Sequence, residues 1–162
     1  LAISLNFLIK KIAIFKTMDN SPVIVSACLL GLSTRYDGKD ALNEEALSSL
    51  KGRPIVPVCP EQLGGLPTPR LKAAIDNGDG ADVLSGLSRV MDEAGEDVTT
   101  KFIKGAKDTL KIALLTGAHE AYLKEKSPSC GSSIICRGDE CVKGMGVTAA
   151  LLVKEGIAVK GF

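Results

Sequence analysis

Three short apolar runs, each leading into a cysteine, constrain this chain more than any other feature. Val23 to Ala27 ends at Cys28, Pro54 to Val58 ends at Cys59, and Ala121 to Glu125 leads through Lys126-Ser-Pro-Ser to Cys130. Such short runs, β-rich in the first two and bounded by Gly, Pro and Ser, predict buried strands. Between the second and third runs lies the clearest helix signal, starting at Thr99 or Thr100. Phe102, Ile103, Ala106, Leu110, Ala113, Leu114 and Gly117 recur at three- and four-residue spacings, while Lys101, Lys104, Lys107 and Lys111 fall largely off that stripe. Val147 to Glu155 predicts a last helix and Ile157 to Lys160 a final strand. Strands alternating with helices predict an α/β fold, a single-domain three-layer open sheet, mostly parallel and Rossmann-like.

Smaller elements follow from local signals. Asn43 predicts a cap on a short helix through Leu50, with Glu44 and Glu45 in the first turn, where the helix dipole favours acids. Gln62 to Pro69 predicts an irregular loop, because its prolines interrupt regular structure. Asp76 to Asp82 predicts a surface turn. Ser88 to Met91 and Asp97 to Thr99 predict a hairpin, and residues 132–144 are read as irregular. At the start, Leu1 to Ile9 is apolar, but Lys10, Lys11 and Lys16 follow that run instead of preceding it. That is not the order of a secretory leader, and the run is too short to span a bilayer. Met18, followed by Asp-Asn-Ser-Pro and then the first strand, reads as the natural start. Residues 1–17 are therefore expected to be a non-native or disordered extension, with a docked amphipathic helix as the other reading. Residues 18–162 are expected to form one α/β domain.

The 162 residues are 45% hydrophobic and 24% charged, which suits one domain with an adequate core. Twenty basic residues against 19 acidic give a net charge of +1. That balance argues against a dedicated nucleic-acid binder, whose affinity comes from neutralising phosphates. Aromatics at 4% leave little for base stacking. The expected partner is a small molecule, with no stable nucleic acid and no membrane. Five cysteines cannot all pair within one chain, and a core of this size does not depend on disulfides, so a reducing cytoplasm is the expected location.

Ligands in an open α/β sheet bind outside the carboxyl ends of the strands. Cys28, Cys59 and Cys130 all follow such ends, so parallel neighbouring strands would bring them to one spot. Any one alone would pass for a buried small hydrophobe. Together they can hold zinc with a fourth ligand, or an iron–sulfur cluster. His119, the one histidine, precedes the third strand and is expected on the opposite rim, away from the thiols. Three cysteines without a histidine fit a cluster with one iron lacking a protein ligand, an open Lewis-acid position. Cys136 and Cys141 form a separate pair that would supply a fourth ligand, form a reversible disulfide, or stay as exposed thiols, the last being favoured. Six residues separate Cys28 from Arg35, and no helix follows directly, so a phosphatase-type loop is excluded.

Polar residues on the same rim complete the candidate site. Glu61, two positions after Cys59, would work as a proton donor or a water-activating base, with apolar walls raising its pKa. Ser127 and Ser129 flank Pro128 before Cys130 and are placed to hydrogen-bond a cluster sulfur or the substrate. Tyr36 would stack on a ring, and Arg70 would supply a cation. Gly144 to Thr148 opens the last helix, whose free N–H groups are read as ordinarily capped.

At these residues the sequence resembles a known family. Val25-Ser-Ala-Cys-Leu-Leu-Gly31, Arg35-Tyr-Asp-Gly38, Pro57-Val-Cys-Pro-Glu-Gln-Leu-Gly-Gly-Leu-Pro-Thr-Pro-Arg70, Lys126-Ser-Pro-Ser-Cys-Gly-Ser132 and Gly146-Val-Thr-Ala-Ala-Leu-Leu152 are similar, in order, to motifs of the bacterial thiouracil desulfidase family. The resemblance runs from about Val23 to Gly161. It implies a [4Fe–4S] cluster on Cys28, Cys59 and Cys130, with zinc the less favoured alternative. It also implies conversion of 2- or 4-thiouracil to uracil and hydrogen sulfide, with the open iron binding the thiocarbonyl sulfur. The implied catalytic pair is Glu61 and Ser127; Tyr36 and Arg70, from their own place on the rim, are the expected substrate-binding residues. After Ser133-Ile-Ile the family commonly carries an aromatic and an aspartate, where this chain has Cys136 and Arg137. A non-catalytic metal- or iron–sulfur-binding protein, sensing iron or oxidants through the same cysteines, is the competing class.

Overall fold

The computed structural model describes residues 20–162. The expectations for residues 1–17 and Met18 lie outside the described residues. In chain order the first half holds β1 (Val23–Ser26), a 3-10 turn (Ala27–Leu30), α1 (Glu44–Ser49), β2 (Ile55–Val58), α2 (Pro60–Leu63), β3 (Ala73–Ile75) and α3 (Gly80–Leu84). The second half holds β4 (Val90–Asp92), α4 (Thr99–Thr116), β5 (Glu120–Leu123), β6 (Ile134–Arg137), β7 (Glu140–Lys143), α5 (Val147–Lys154) and β8 (Ala158–Gly161).

The centre is a four-stranded sheet in the order β2-β1-β5-β8, and every pair in it is parallel. β1 aligns Val23 with Ile55 on one side and with Glu120 on the other. Val23, Ile24 and Val25 are all fully buried, as a central strand covered on both faces requires. Alternation sends Ile24 one way, into a cluster with Ala113 of α4 and Ala149 and Leu152 of α5. Val23 and Val25 point the other way, against Leu29, Leu50 and Tyr122. The α/β reading with a mostly parallel sheet is borne out. Among the described residues no helix is long and apolar enough to cross a membrane.

α4 begins as expected at Thr99, where Asp97 Oδ1 accepts from the Thr99 N–H at 2.9 Å. It ends at Gly117, whose φ of 71° is the left-handed cap that glycine adopts without penalty. Phe102, Ala106, Thr109 and Ala113 form its buried stripe. Leu114, predicted on that stripe, is instead 69% exposed, because the core face ends with Ala113 at the last turn. Asn43 caps α1 as predicted, its Oδ1 accepting from the Ala46 N–H at 2.9 Å.

Four local expectations are corrected. Pro60–Leu63 forms a helical turn where part of an irregular loop was expected. The Asp76 to Asp82 stretch runs into α3, because Asp79 and Asp82 make a reciprocal capping box. β4 pairs antiparallel with β3, not with Asp97 to Thr99, which contributes one bridge between Met91 and Asp97. Residues 132–144 contain a hairpin, β6 against β7, whose Ile135 side chain enters a second core with Phe102 and Val147.

Candidate metal centre

Each of the three cysteines is delivered by a different strand end. β1 runs straight into the 3-10 turn that carries Cys28 and closes at Gly31. Cys59 follows β2 as the extended residue capping α2, with Pro60 in the first turn. Cys130 lies on the loop after β5. All three are free thiols; Cys28 and Cys130 are buried and Cys59 is partly so. They line one cavity of about 330 Å3 at the carboxyl rim of the sheet, a volume suited to a small ligand.

Backbone-to-backbone contacts hold these deliveries in place. A Cβ at Gly105 of α4 would collide with the Pro60 carbonyl, so only glycine lets α2, with Cys59 and Glu61, lie directly on α4. At the mouth of α5, the N–H groups of Gly146, Val147 and Thr148 donate to the carbonyls of Gly131, Pro128 and Ser129 at 2.8, 2.9 and 2.9 Å. The helix N-terminus is therefore spent on the Cys130 loop, in keeping with the capped reading of Gly144 to Thr148.

Cys28 and Cys130 sit in surroundings that resist ionisation in the absence of a metal. Burial pushes the Cys28 thiol up, and the neighbouring Cys59 adds to it. Burial pushes Cys130 up much further, against a hydrogen bond with Ser26 that favours the thiolate. Such sulfurs release their protons when a metal takes them, so loading and proton release are coupled. Among the described residues no three His, Cys, Asp or Glu side chains close around a point the size of a single ion. A tetrahedral zinc, with Zn–S of about 2.3 Å, needs that closeness. A cluster, which binds each thiolate to a different iron, does not. The donor set of three separate soft sulfurs therefore fits an iron–sulfur cluster better than zinc.

Glu61, Ser127, Tyr36 and Arg70 all line the same cavity. Glu61 does not meet purely apolar walls as expected: the Arg70 Nε donates to its Oε2 at 2.7 Å. The Arg70 side chain is only 5% exposed and its Nη1 also donates to the carbonyls of Thr34 and Pro67 and to Thr68 Oγ1. It is thus a buried brace for the Glu61 wall, not a solvated cation. Among the described residues the other carboxylate oxygen, Oε1, has no protein partner. Ser127 Oγ accepts from the N–H groups of Ser129 and Cys130 at 3.1 and 3.0 Å. Both lone-pair directions are engaged, which leaves its proton to donate. Ser129 is buried, bonded to Thr148 Oγ1 at 2.9 Å, and is absent from the cavity wall. Half-buried Tyr36 has the Arg35 guanidinium 5.7 Å from its ring centre. His119 is exposed at the amino end of β5, on the far rim as expected.

Sequence reading missed several wall residues. Ser26 closes β1, its Oγ accepting from the Lys124 N–H at 3.0 Å while its proton reaches Cys130. Glu125 turns back into the loop that follows Cys130. Its carboxylate accepts from the hydroxyls of Ser132 and Ser133 and from the Ile134 N–H, the latter two at 3.1 and 3.2 Å. Burial would raise its pKa, but these hydrogen bonds outweigh that and hold the carboxyl below the usual range. Arg35, Lys72, Lys124 and Lys126 add cations around the opening. Cys136 reaches the wall too, paired in a disulfide with Cys141 where exposed thiols were favoured. The reason is the unforeseen hairpin, which sets the two residues directly opposite each other.

Comparison with known proteins agrees with this geometry. The family model for 2-thiouracil desulfurase matches residues 23–161. The Bacillus subtilis (strain 168) protein named "Uncharacterized protein YbbK" is 43% identical over 140 residues, covering 85% of this chain and 93% of that protein. The solved structure of the [4Fe-4S]-dependent thiouracil desulfidase TudS superposes with a TM-score of 0.75 at 41% identity, covering 87% of this chain and 90% of that one. A match over nearly all the described residues, with the three free cysteines inside it, leads to one conclusion: the chain belongs to the 2-thiouracil desulfurase family.

Proposed function

We propose that this protein removes sulfur from a thiolated pyrimidine base, giving the oxo base and hydrogen sulfide, at a [4Fe–4S] cluster held by Cys28, Cys59 and Cys130. The observation that carries this reading is the convergence of three free thiols from three strand ends on one cavity, beside a carboxylate braced by a buried arginine. When bound, the cluster supplies a Lewis-acidic iron with an open position for the thiocarbonyl sulfur.

The protein's own groups do the rest. Glu61 Oε1 accepts a proton from the attacking water while Arg70 holds Oε2 and fixes the direction of approach. General-base help of this kind is worth about 10²–10⁴ in rate. Ser127, with both lone pairs engaged, donates its hydrogen to the heteroatom of the base. Tyr36 offers a face on which the ring stacks. The overall reaction consumes one water for each sulfur released, and no electrons change hands.

Anaerobic reconstitution with iron and sulfide, followed by assays on 2- and 4-thiouracil, tests the proposal. Visible absorbance with uracil and sulfide formation is the expected result. Cys59→Ala should lose the absorbance and the activity together. Glu61→Gln should keep the absorbance and lose about 10²–10⁴ in turnover; equal turnover would remove Glu61 from the mechanism. A cluster without turnover would favour the sensing role, and stoichiometric zinc without a chromophore would overturn both.

A further inference from the structure

The β6–β7 hairpin carries chemistry that the desulfurising groups do not use. Cys136 and Cys141 face each other across it and are joined as a disulfide. The two sulfurs live in different surroundings. Cys136 is half-buried and lines the same cavity as Cys28, Cys59 and Cys130, whereas Cys141 is exposed and is not on that wall. The hairpin is anchored independently of the disulfide. Arg137 Nε donates to the Ile75 carbonyl at 2.9 Å, Lys72 Nζ to the Gly138 carbonyl at 3.4 Å, and Ile135 is buried in the second core. Opening the S–S bond therefore leaves Cys136 at the wall.

The geometry points to a second reaction: the Cys136–Cys141 disulfide captures the sulfide product as a persulfide on Cys136. This rests on the desulfidase reading, which puts sulfide inside the cavity. The hydrosulfide ion attacks Cys136 Sγ, a new S–S bond forms, and the Cys136–Cys141 bond breaks. Cys141 leaves into solvent as a thiolate with the electron pair of the broken bond, while a lone pair of the hydrosulfide makes the new one. The disulfide itself is the oxidant, so each oxidised chain captures one sulfur and no other reactant is required.

Two physical arguments favour this step over escape of the product. One sulfide ion inside about 330 Å3 is at a local concentration of about 5 M, which is the advantage that confinement gives a reaction between neighbours. Sulfide also ionises near neutral pH, where sulfur nucleophiles attack disulfides best. Burial dictates the site of attack: sulfide made inside the cavity meets Cys136, whereas sulfide arriving from bulk solvent meets exposed Cys141.

The test uses the cluster-loaded, disulfide-intact protein and thiouracil carrying a heavy sulfur isotope. Single-turnover reactions are quenched with an alkylating agent, and peptides are mapped by mass spectrometry while uracil and free sulfide are counted. Heavy sulfur on Cys136, with close to one equivalent of free sulfide missing from the first turnover, is the expected result. Unlabelled sulfide added without substrate should instead mark Cys141. Cys141→Ala should still make uracil, carry no label, and release sulfide in equal amount from the start. Uracil formation with no heavy sulfur on Cys136, or with the same Cys136-to-Cys141 distribution that added sulfide gives, overturns the capture while leaving the desulfidase reading intact. Absence of uracil in every form overturns both.

Discussion

Glu125 shows how much one side chain contributes to the site without being part of its chemistry. Its carboxylate closes the loop that follows Cys130 by accepting from Ser132, Ser133 and Ile134. Those bonds hold its pKa below the usual range, so the sign of the pH dependence is set. The stabilisation is fully present above the unfolded value of about 4.3 and is lost as pH falls through the lower folded value. Glu125→Gln should therefore cost about 1.5–3 kcal/mol near neutral pH, the usual worth of hydrogen bonds to a charged group. The difference from the parent protein should shrink as pH falls through that lowered folded value. Urea unfolding at a series of pH values measures it, and a difference that does not change with pH would assign the loop's stability elsewhere. Ser127 is the same kind of residue with a second duty, since its two accepted N–H bonds both fix Cys130 and aim its own proton.

Among the elements, α2 on α4 governs the position of both Cys59 and Glu61. Gly105→Ala would force the Pro60 carbonyl away from α4. Overpacking of this kind costs about 1–3 kcal/mol, and here it moves the proposed ligand Cys59 as well. The expected outcome is a lower melting temperature together with incomplete cluster absorbance; normal absorbance on a destabilised protein would separate packing from ligand placement. The elements that sequence made legible are those whose stability is local or whose burial is total. α4 repeats its apolar stripe over five turns, and β1, buried on both faces, reads as a continuous apolar run. α2, α3 and the β6–β7 hairpin show neither signal, because one-turn helices and a partly exposed two-stranded hairpin owe their existence to tertiary contacts. Cys28 and Cys59 were legible because the ends of their strands can be read from Val and Ile, and Cys130 because a short run with Tyr122 and Leu123 precedes its Ser-Pro-Ser loop. Ser26, Glu125 and the Arg70 brace were not, since each acts through a chain segment that only folding brings near. The disulfide between Cys136 and Cys141 would follow from the Arg-Gly-Asp-Glu turn between them once residues 134–143 are read as two strands.

For the molecule as a whole, the sheet's direction separates the site from the first described residues. β1 runs from Val23 toward Ser26, and the cavity lies beyond its carboxyl end. The described residues therefore begin at the far rim, where His119 also lies. Deleting residues 1–17 should leave cluster absorbance and sulfide release within about twofold, roughly 0.4 kcal/mol on the scale where 1.36 kcal/mol is tenfold. A tenfold loss would mean that this segment reaches around the sheet to the site.

The latch between α5 and the Cys130 loop also sets a schedule for biosynthesis. The loop is pinned by N–H groups from residues 146–148, and its strand is flanked by the last strand of the chain. Cys28 and Cys59 leave the ribosome long before those residues exist, by an interval of about 5–20 s at ordinary rates of translation. A nascent chain thus presents two thiols without the third ligand or the closing helix. On the proposed ligand set, iron and sulfide are seated only once translation is nearly over, which makes maturation of this centre a post-translational delivery to an almost finished protein.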